Sequence, residues 1–350
     1  MSAPAATGPT VTEHDALLSY RDGRRALEGV ALLHELRRPR RVPFERNARS
    51  WELRFPRPDA DRVEYLLELT HRDGRREFVP DPSNPLRAAG PFGDKSVLEF
   101  PGYEPPAWLA DEDSVTGDLR ELPLRSRRLH ATLDAFLWSP ADTDPAEPMP
   151  LLVVHDGPEY AEYSALLRLL DHLVDFGEVP PLRAALVPPP LDRNEMYSAS
   201  ARYANALAAE IVPALPHDGR VVLMGASLGA LASLHAHWRN PGLASGLFLQ
   251  SGSFFRRRFD AHESRFPRYG RITRFVGHVH GRTGFVARIP VTLTCGLAEE
   301  NLDNNRALAA ALERRGFEVR SAGIPDAHNW IAWRDSLHPH LADLLLRAWT

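Results

Sequence analysis

The chain has 350 residues, 43% of them hydrophobic and 25% charged, and a formal net charge of −4. That makeup suits a globular protein with room for an enzyme core and one small domain, and it gives no nucleic-acid footprint over the whole molecule. A single cysteine, Cys295, excludes internal disulfides and a multi-cysteine metal centre, and no run approaches the roughly 18 apolar residues of a membrane span.

Met1 to Thr10 have neither a basic start nor an apolar core, so no secretory leader is read there and the cytoplasm is the expected compartment. Residues up to about 12 read as a tail. Over 13–38 the apolar spacing predicts an amphipathic helix or two, broken at Asp22-Gly23 and closing on Arg37-Arg38-Pro39-Arg40-Arg41, so 1–42 is expected to be tail and helix. From 43 to 105 the pattern changes. Segments 50–55 and 63–70 alternate with period two, and Arg72-Asp73-Gly74-Arg75 is a turn, which together predict a small β-sandwich. Asp81-Pro82-Ser83-Asn84-Pro85 is rich in turn residues, and Pro101 to Pro106 begins a linker. Over 106–350, strands are expected near 128–138, 151–155, 182–187, 221–224, 246–250, 291–295 and 317–324. Helices alternate with the later ones, the signature of a mainly parallel sheet covered on both faces.

Within that region Gly225-Ala226-Ser227-Leu228-Gly229 fits G-x-S-x-G. Val221-Val222-Leu223-Met224 before it reads as a buried strand, and a helix follows from Leu228 to Trp238, stopped at Asn240-Pro241-Gly242. A strand, a sharp turn and a helix form the setting of a nucleophile elbow, in which the serine projects from a strained turn. Serine at its own pKa is a poor nucleophile, so a histidine must take its proton and an acid must orient that histidine. In α/β-hydrolases the chain order is serine, acid, histidine. The strand at 291–295 ends at Gly296 and is followed by Leu297-Ala298-Glu299-Glu300. The strand at 317–324 is followed by Pro325-Asp326-Ala327-His328. Ser227, Glu299 and His328 therefore fall in loops expected at one sheet edge. Glu300 and Asp303 compete with Glu299 for the acid. His155, at a strand end, is a lesser rival to His328, and His278 and His280 lie in an arginine-rich insertion. The Leu228 amide is one expected oxyanion donor.

Further segments complete a pattern: Ser96-Val97-Leu98-Glu99-Phe100-Pro101, Leu151-Leu152-Val153-Val154-His155-Asp156-Gly157, Asp192-Arg193-Asn194-Glu195-Met196, Glu210-Ile211-Val212-Pro213, Gln250-Ser251-Gly252-Ser253-Phe254-Phe255, Gly296-Leu297-Ala298-Glu299 and His328-Asn329-Trp330-Ile331-Ala332-Trp333-Arg334. With these the chain resembles the enterochelin esterase family, within the wider esterase D group of α/β-hydrolases, over most of its length. The resemblance implies an immunoglobulin-like β-sandwich before an α/β-hydrolase domain. It also implies cytoplasmic hydrolysis of ester bonds in catecholate siderophores, which releases iron. Asn329 stands where the family usually carries aspartate, and Ala327 where it often carries glycine. Pro158, which has no N–H, stands where related esterases place an oxyanion donor, so the second donor is expected from Gly157 or Glu159.

Charge carries the specificity signal. Segment 256–285 holds eight arginines (256, 257, 258, 265, 268, 271, 274 and 282) against Asp260 and Glu263, a local net of +6. Arg193, Arg256 and Arg334 are expected to meet an anionic small-molecule ester, an iron–siderophore complex fitting best, because guanidinium pairs with carboxylate or phenolate and stacks on rings. Tyr160, Phe254, Phe255, Trp330 and Trp333 are expected to form an aromatic wall for catechol rings. No cofactor, metal, membrane or nucleic-acid partner is expected. Two alternatives stay open: an esterase for acetyl or feruloyl sugar esters, and a non-catalytic binding protein on the hydrolase scaffold, of which Pro158 would be the mark.

Overall fold

The computed structural model describes residues 8–23, 25–48, 50–111, 114, 116–144, 147–281 and 287–349. Internal packing divides the chain into two units. The first comprises Met1–Glu104 with two later segments, Gly296–Glu300 and Ile324–Ala332. The second comprises Pro105–Cys295, Asn301–Gly323 and Trp333–Thr350.

The first unit is built from two antiparallel sheets. One has the order Thr10–Val11, Asp15–Arg21, Ser50–Pro56, Glu45–Arg46. The other runs Arg41–Pro43, Leu27–His34, Arg62–His71, Lys95–Glu99, Arg87–Ala88, with Arg76–Val79 also pairing Arg62–His71. Residues 13–38, expected to be helical, are thus mostly strand, and Thr10–Val11 is paired rather than part of a tail. The reason lies in pairing across sequence. Along Asp15–Arg21, Ala16 and Leu18 are buried while Leu17 and Ser19 face outward, and the strand pairs with Ser50–Pro56 over seven residues. Short apolar runs satisfy helical and strand spacing alike, and a distant partner decides between them. Asp22 carries the chain from one sheet to the other, its carboxylate accepting the N–H groups of Ala26 and Leu27. The core between the sheets is Leu18, Leu32, Trp51, Phe55, Tyr65, Leu67, Leu98 and Phe100, joined by Ala298 and Ala327 from the later segments.

The second unit holds an eight-stranded sheet. Its order is Asp118–Ser126, Ala131–Ser139, Arg183–Val187, Leu151–His155, Val221–Ala226, Gly246–Gln250, Pro290–Gly296, Glu318–Ile324. Ala131–Ser139 is antiparallel to both its neighbours, and the pairs from Arg183–Val187 through Pro290–Gly296 are parallel. The strands at 151–155, 183–187, 221–226 and 246–250 are buried at every residue, as a sheet covered on both faces requires. Asp118–Ser126 is not legible as a strand in the sequence. It is an edge strand, mostly exposed and carrying Pro123, so it lacks the apolar pattern of its neighbours. Among the described residues no helix is long and apolar enough to cross a membrane.

Candidate active site

Val221–Ala226 ends at Ser227, whose backbone stands at φ 54°, ψ −118°, and the helix Leu228–Arg239 starts at the next residue. An L-residue held in such a region costs about 1–3 kcal/mol and persists only where its surroundings fix it. Here they do. The Ser227 N–H donates to Gln250 O at 2.9 Å, and its carbonyl accepts from Ser253 N at 3.0 Å. The tightness of the turn explains its glycines. A Cβ at Gly225 would lie 2.6 Å from the Gly229 carbonyl carbon, and one at Gly229 would meet His155 Cβ at 3.2 Å and Asp156 Oδ2 at 3.3 Å. The Ser227 side chain is half-buried, with Oγ 3.1 Å from Ser253 Oγ.

Gln250 supports the turn in a way the sequence does not announce. Its Oε1 accepts from the Tyr160 hydroxyl at 2.6 Å, and its Nε2 donates to Trp333 O at 2.9 Å and Ser336 Oγ at 2.8 Å. Trp333 Nε1 donates to Ser251 Oγ at 3.0 Å. Tyr160 and Phe254 are fully buried and Trp333 nearly so. Phe254 packs so tightly over Gly252 that a Cβ there would lie 2.1 Å from its ring. The expected aromatic wall is therefore corrected for these three, which are core packing, and for buried Phe255, whose ring packs on Phe266 and Tyr269. Trp330, which opens the helix Trp330–Asp335, is half-buried.

Leu151–His155 lies beside Val221–Ala226 in parallel, and the helix Gly157–Tyr163 starts just beyond its end. The first N–H groups of a helix have no intrahelical acceptor. Gly157 and Leu228 are the first residues of helices that follow adjacent parallel strands, the arrangement an oxyanion hole needs. Gly157 must be glycine, because a Cβ would fall 2.3 Å from Leu186 Cα. Pro158 sits in the first turn, where a missing N–H costs nothing.

Asp156 precedes Gly157 in the left-handed conformation, φ 54°, ψ 40°. Its carboxylate takes Arg193 Nε at 2.8 Å and Nη2 at 2.7 Å, and the guanidinium lies over the Tyr197 ring. Burial opposes the Arg193 charge, but the Asp156 hydrogen bonds and charge outweigh it and raise the Arg193 pKa. Arg193 is thus held by Asp156 through Nε and Nη2, while 35% of its side chain stays exposed. His155 is a core residue. Its Nδ1 lies 3.0 Å from both Met224 O and Ser233 Oγ, and burial pushes its pKa down to about 4.

In the first unit Glu299 and His328 meet. Glu299 Oε2 lies 2.6 Å from His328 Nδ1, and Oε1 accepts the Gly296 N–H at 2.6 Å. Burial would lower the His328 pKa, but the charge and hydrogen bond of Glu299 reverse the shift and raise it. Of the competing acids, Glu300 pairs with Arg38 and Arg40, and Asp303 is exposed in the first turn of the helix Leu302–Arg314. Asn329, at the family's aspartate position, accepts the Ala332 N–H at 2.8 Å.

The basic segment is partly neutralised. Arg268 and Arg271 both pair with Glu195, and Arg256 and Arg258 lie over the Phe259 ring; outside the segment, Arg334 bonds Asp335. The Arg256 N–H donates to Asp260 Oδ2 at 2.7 Å. Arg257, Arg258, Arg265 and Arg274 are exposed, and Arg282 lies outside the described residues.

The Esterase family model ("Putative esterase") matches residues 126–344. The iron(III) enterobactin esterase of Escherichia coli O6:H1 is 26% identical over 316 residues, covering 83% of this chain and 72% of its own. Among solved structures, the enterobactin esterase of Shigella flexneri in the presence of enterobactin has a TM-score of 0.74 at 20% identity, over 97% of this chain and 96% of its own. The ferric enterobactin esterase of Salmonella typhimurium has a TM-score of 0.72 at 18% identity, over 98% and 96%. These structures share the fold, an α/β-hydrolase with an N-terminal β-rich part. The family match spans well over half of the chain: the protein belongs to the Esterase family and is a carboxylic ester hydrolase.

Proposed function

We propose that the protein is a cytoplasmic serine esterase that opens the ester bonds of a catecholate siderophore of the enterobactin type, and so frees its iron. The observation that carries the serine chemistry is the strained backbone of Ser227 at the head of a buried helix, in a turn so tight that a Cβ at Gly225 would lie 2.6 Å from the Gly229 backbone. The substrate class rests on the relatives, which are enterobactin esterases by name.

In this reading His328 takes the Ser227 hydroxyl proton as Oγ attacks the ester carbonyl carbon. Glu299 keeps the imidazole proton on Nδ1 and stabilises the imidazolium that forms. The amides of Leu228 and Gly157 receive the oxyanion. His328 then gives its proton to the departing alcohol oxygen. A water, deprotonated by the same histidine, adds to the acyl carbon, and His328 returns that proton to Ser227 Oγ as the acyl–oxygen bond breaks and the acid leaves. The exposed arginines of the basic segment supply charge for catecholate oxygens. The Gly157 amide, first in the same helix, offers the second donor that Pro158 lacks, which favours the esterase reading over a non-catalytic binding protein.

The test is turnover of enterobactin, iron-free and ferric, followed by chromatography of the dihydroxybenzoyl-serine product, beside p-nitrophenyl acetate. Both esters should be hydrolysed by the native protein and neither by Ser227→Ala. Turnover of the small ester or of feruloyl sugars with enterobactin left intact would sink the siderophore assignment. Equal background rates for native protein and Ser227→Ala would sink the esterase mechanism.

A further inference from the structure

Arg62 opens the strand Arg62–His71, and its side chain is only 4% exposed. A guanidinium so buried needs compensating charge. Three carboxylates stand around it: Glu99 at 3.6 Å, Glu64 at 3.7 Å and Asp326 at 3.9 Å, and its Nη1 makes no hydrogen bond among the described residues. Asp326 lies two residues before His328 and is itself buried. Its Oδ1 accepts the Ala327 N–H at 2.7 Å and Asn329 Nδ2 at 2.9 Å, and its Oδ2 is the oxygen nearest Arg62.

The backbone follows the same route. Asp61 N–H donates to Pro325 O at 2.6 Å, beside Arg62. Leu297 N–H donates to Ile324 O at 2.7 Å and Ala298 N–H to Asp326 O at 3.2 Å, which joins the turn of the acid to the turn of the base. On the far side of the acid, Arg37 N–H donates to Ala298 O at 2.8 Å and Arg37 Nε to Glu299 O at 3.2 Å. Ala298 and Ala327 pack in the core with Tyr65, Leu98 and Phe100. The turns that carry Glu299 and His328 thus take packing, backbone bonds and ionic partners from the N-terminal strands.

We propose that Arg62 and Asp326 are positioning residues of this esterase: a buried ion pair through which the strand Arg62–His71 holds the 325–329 turn, and with it the His328 imidazole, against Glu299. The inference rests on His328 being the general base. A buried ion pair is poor evidence for stability alone, since apolar side chains of similar volume often serve as well. Here each partner has a second attachment that matters to the site. Asp326 ties both residues that flank His328, and Arg62 lies next to the backbone bond that holds Pro325.

The test compares Arg62→Met, Arg62→Lys and Asp326→Asn with the native protein. Three measurements apply: kcat and KM on p-nitrophenyl acetate, the thermal midpoint, and the far-downfield proton resonance expected for His328 Nδ1–H on Glu299. A loosened base loses rate without losing ground-state binding, and misplacement by about 1 Å costs up to about 10²-fold. Arg62→Met should therefore lower kcat tenfold to a hundredfold with KM within about twofold, and broaden or abolish the downfield resonance. Arg62→Lys, which keeps the charge, should recover part of both. Asp326→Asn leaves Arg62 with Glu64 and Glu99 and should reproduce the kcat loss, so it decides the matter if Arg62→Met does not fold. A lowered thermal midpoint with kcat and the resonance unchanged would overturn the proposal, because the pair would then be structural only. Failure of the triad reading looks different: His328→Ala would stay active, while the resonance and its response to Arg62→Met would still be readable.

Discussion

Glu299 grips His328 with one carboxylate oxygen and its own strand end with the other, Oε2 at 2.6 Å from Nδ1 and Oε1 at 2.6 Å from the Gly296 amide. This fixes the imidazole and sets its proton affinity. With the His328 pKa raised above the usual 6.5, the free base forms only at higher pH, so kcat/KM should climb through an acid limb above that value. The stability term has the opposite sense. A raised histidine pKa stabilises the fold below the unfolded-state value, and that contribution is lost as pH rises through the folded-state value. Glu299→Gln should move the acid limb to lower pH and cut kcat, on the order of 10³-fold. Glu300→Gln should change little, because Glu300 pairs with exposed Arg38 and Arg40. A pH–rate profile of both variants checks the assignment. An unmoved limb in Glu299→Gln would remove that residue from the mechanism.

Loss of the nucleophile or the base should be far more severe. Ser227→Ala and His328→Ala are each expected to lower hydrolysis by about 10⁴-fold or more. Ser227 also carries strain, and glycine has no Cβ to oppose φ 54°, ψ −118°. Ser227→Gly should therefore be inactive yet more stable than Ser227→Ala, by about 1 kcal/mol. Thermal unfolding of the two variants side by side measures this. Equal midpoints would mean the elbow stores no strain.

Gly157 offers a test of the oxyanion side. An added Cβ would lie 2.3 Å from Leu186 Cα and 2.6 Å from its carbonyl carbon, both backbone atoms that cannot swing aside. Gly157→Ala should shift the start of the helix Gly157–Tyr163, cost about 1–3 kcal/mol of stability and lower kcat by about 10²-fold or more through a displaced amide. Calorimetry with steady-state kinetics would check both effects. A stable, fully active Gly157→Ala would exclude the Gly157 amide as an oxyanion donor.

What can be read from the sequence is what is local. The strand, turn and helix about Ser227 are contiguous, and Glu299 and His328 follow the ends of successive strands, so order along the chain brings them out. What cannot be read depends on partners distant in the chain. The bidentate hold of Arg193 on Asp156, 37 residues away, does not show in the sequence. Tyr160 and Trp333 look like a ring-binding wall because aromatic identity does not tell which side of the turn a ring occupies. Their hydrogen bonds to Gln250 and Ser251 answer that. Residues 15–34 are mistaken for helix because their strand partners lie at 50–56 and 62–71. Asp326 gives no signal at all in the sequence, since its role depends on a buried arginine more than 250 residues earlier.

The exposed arginines allow a last prediction about substrate. Arg268 and Arg271 are held by Glu195, so they are structural and should be left alone. Arg257 and Arg258 are exposed, and Arg256 is half-buried with its guanidinium over Phe259. If this segment draws in an anionic siderophore, Arg256→Gln, Arg257→Gln and Arg258→Gln combined should raise KM for ferric enterobactin several-fold. Turnover of p-nitrophenyl acetate should hardly change, because only remote binding energy has been removed. High salt should imitate the triple change in the native protein and add little to it, since exposed charges are screened beyond a Debye length of about 8 Å at physiological ionic strength. Kinetics on both esters at low and high salt separate the outcomes. Parallel losses on the two esters would mark the arginines as structural. A triple variant indistinguishable from native on ferric enterobactin would leave them as a solvated surface, with the substrate recognised elsewhere.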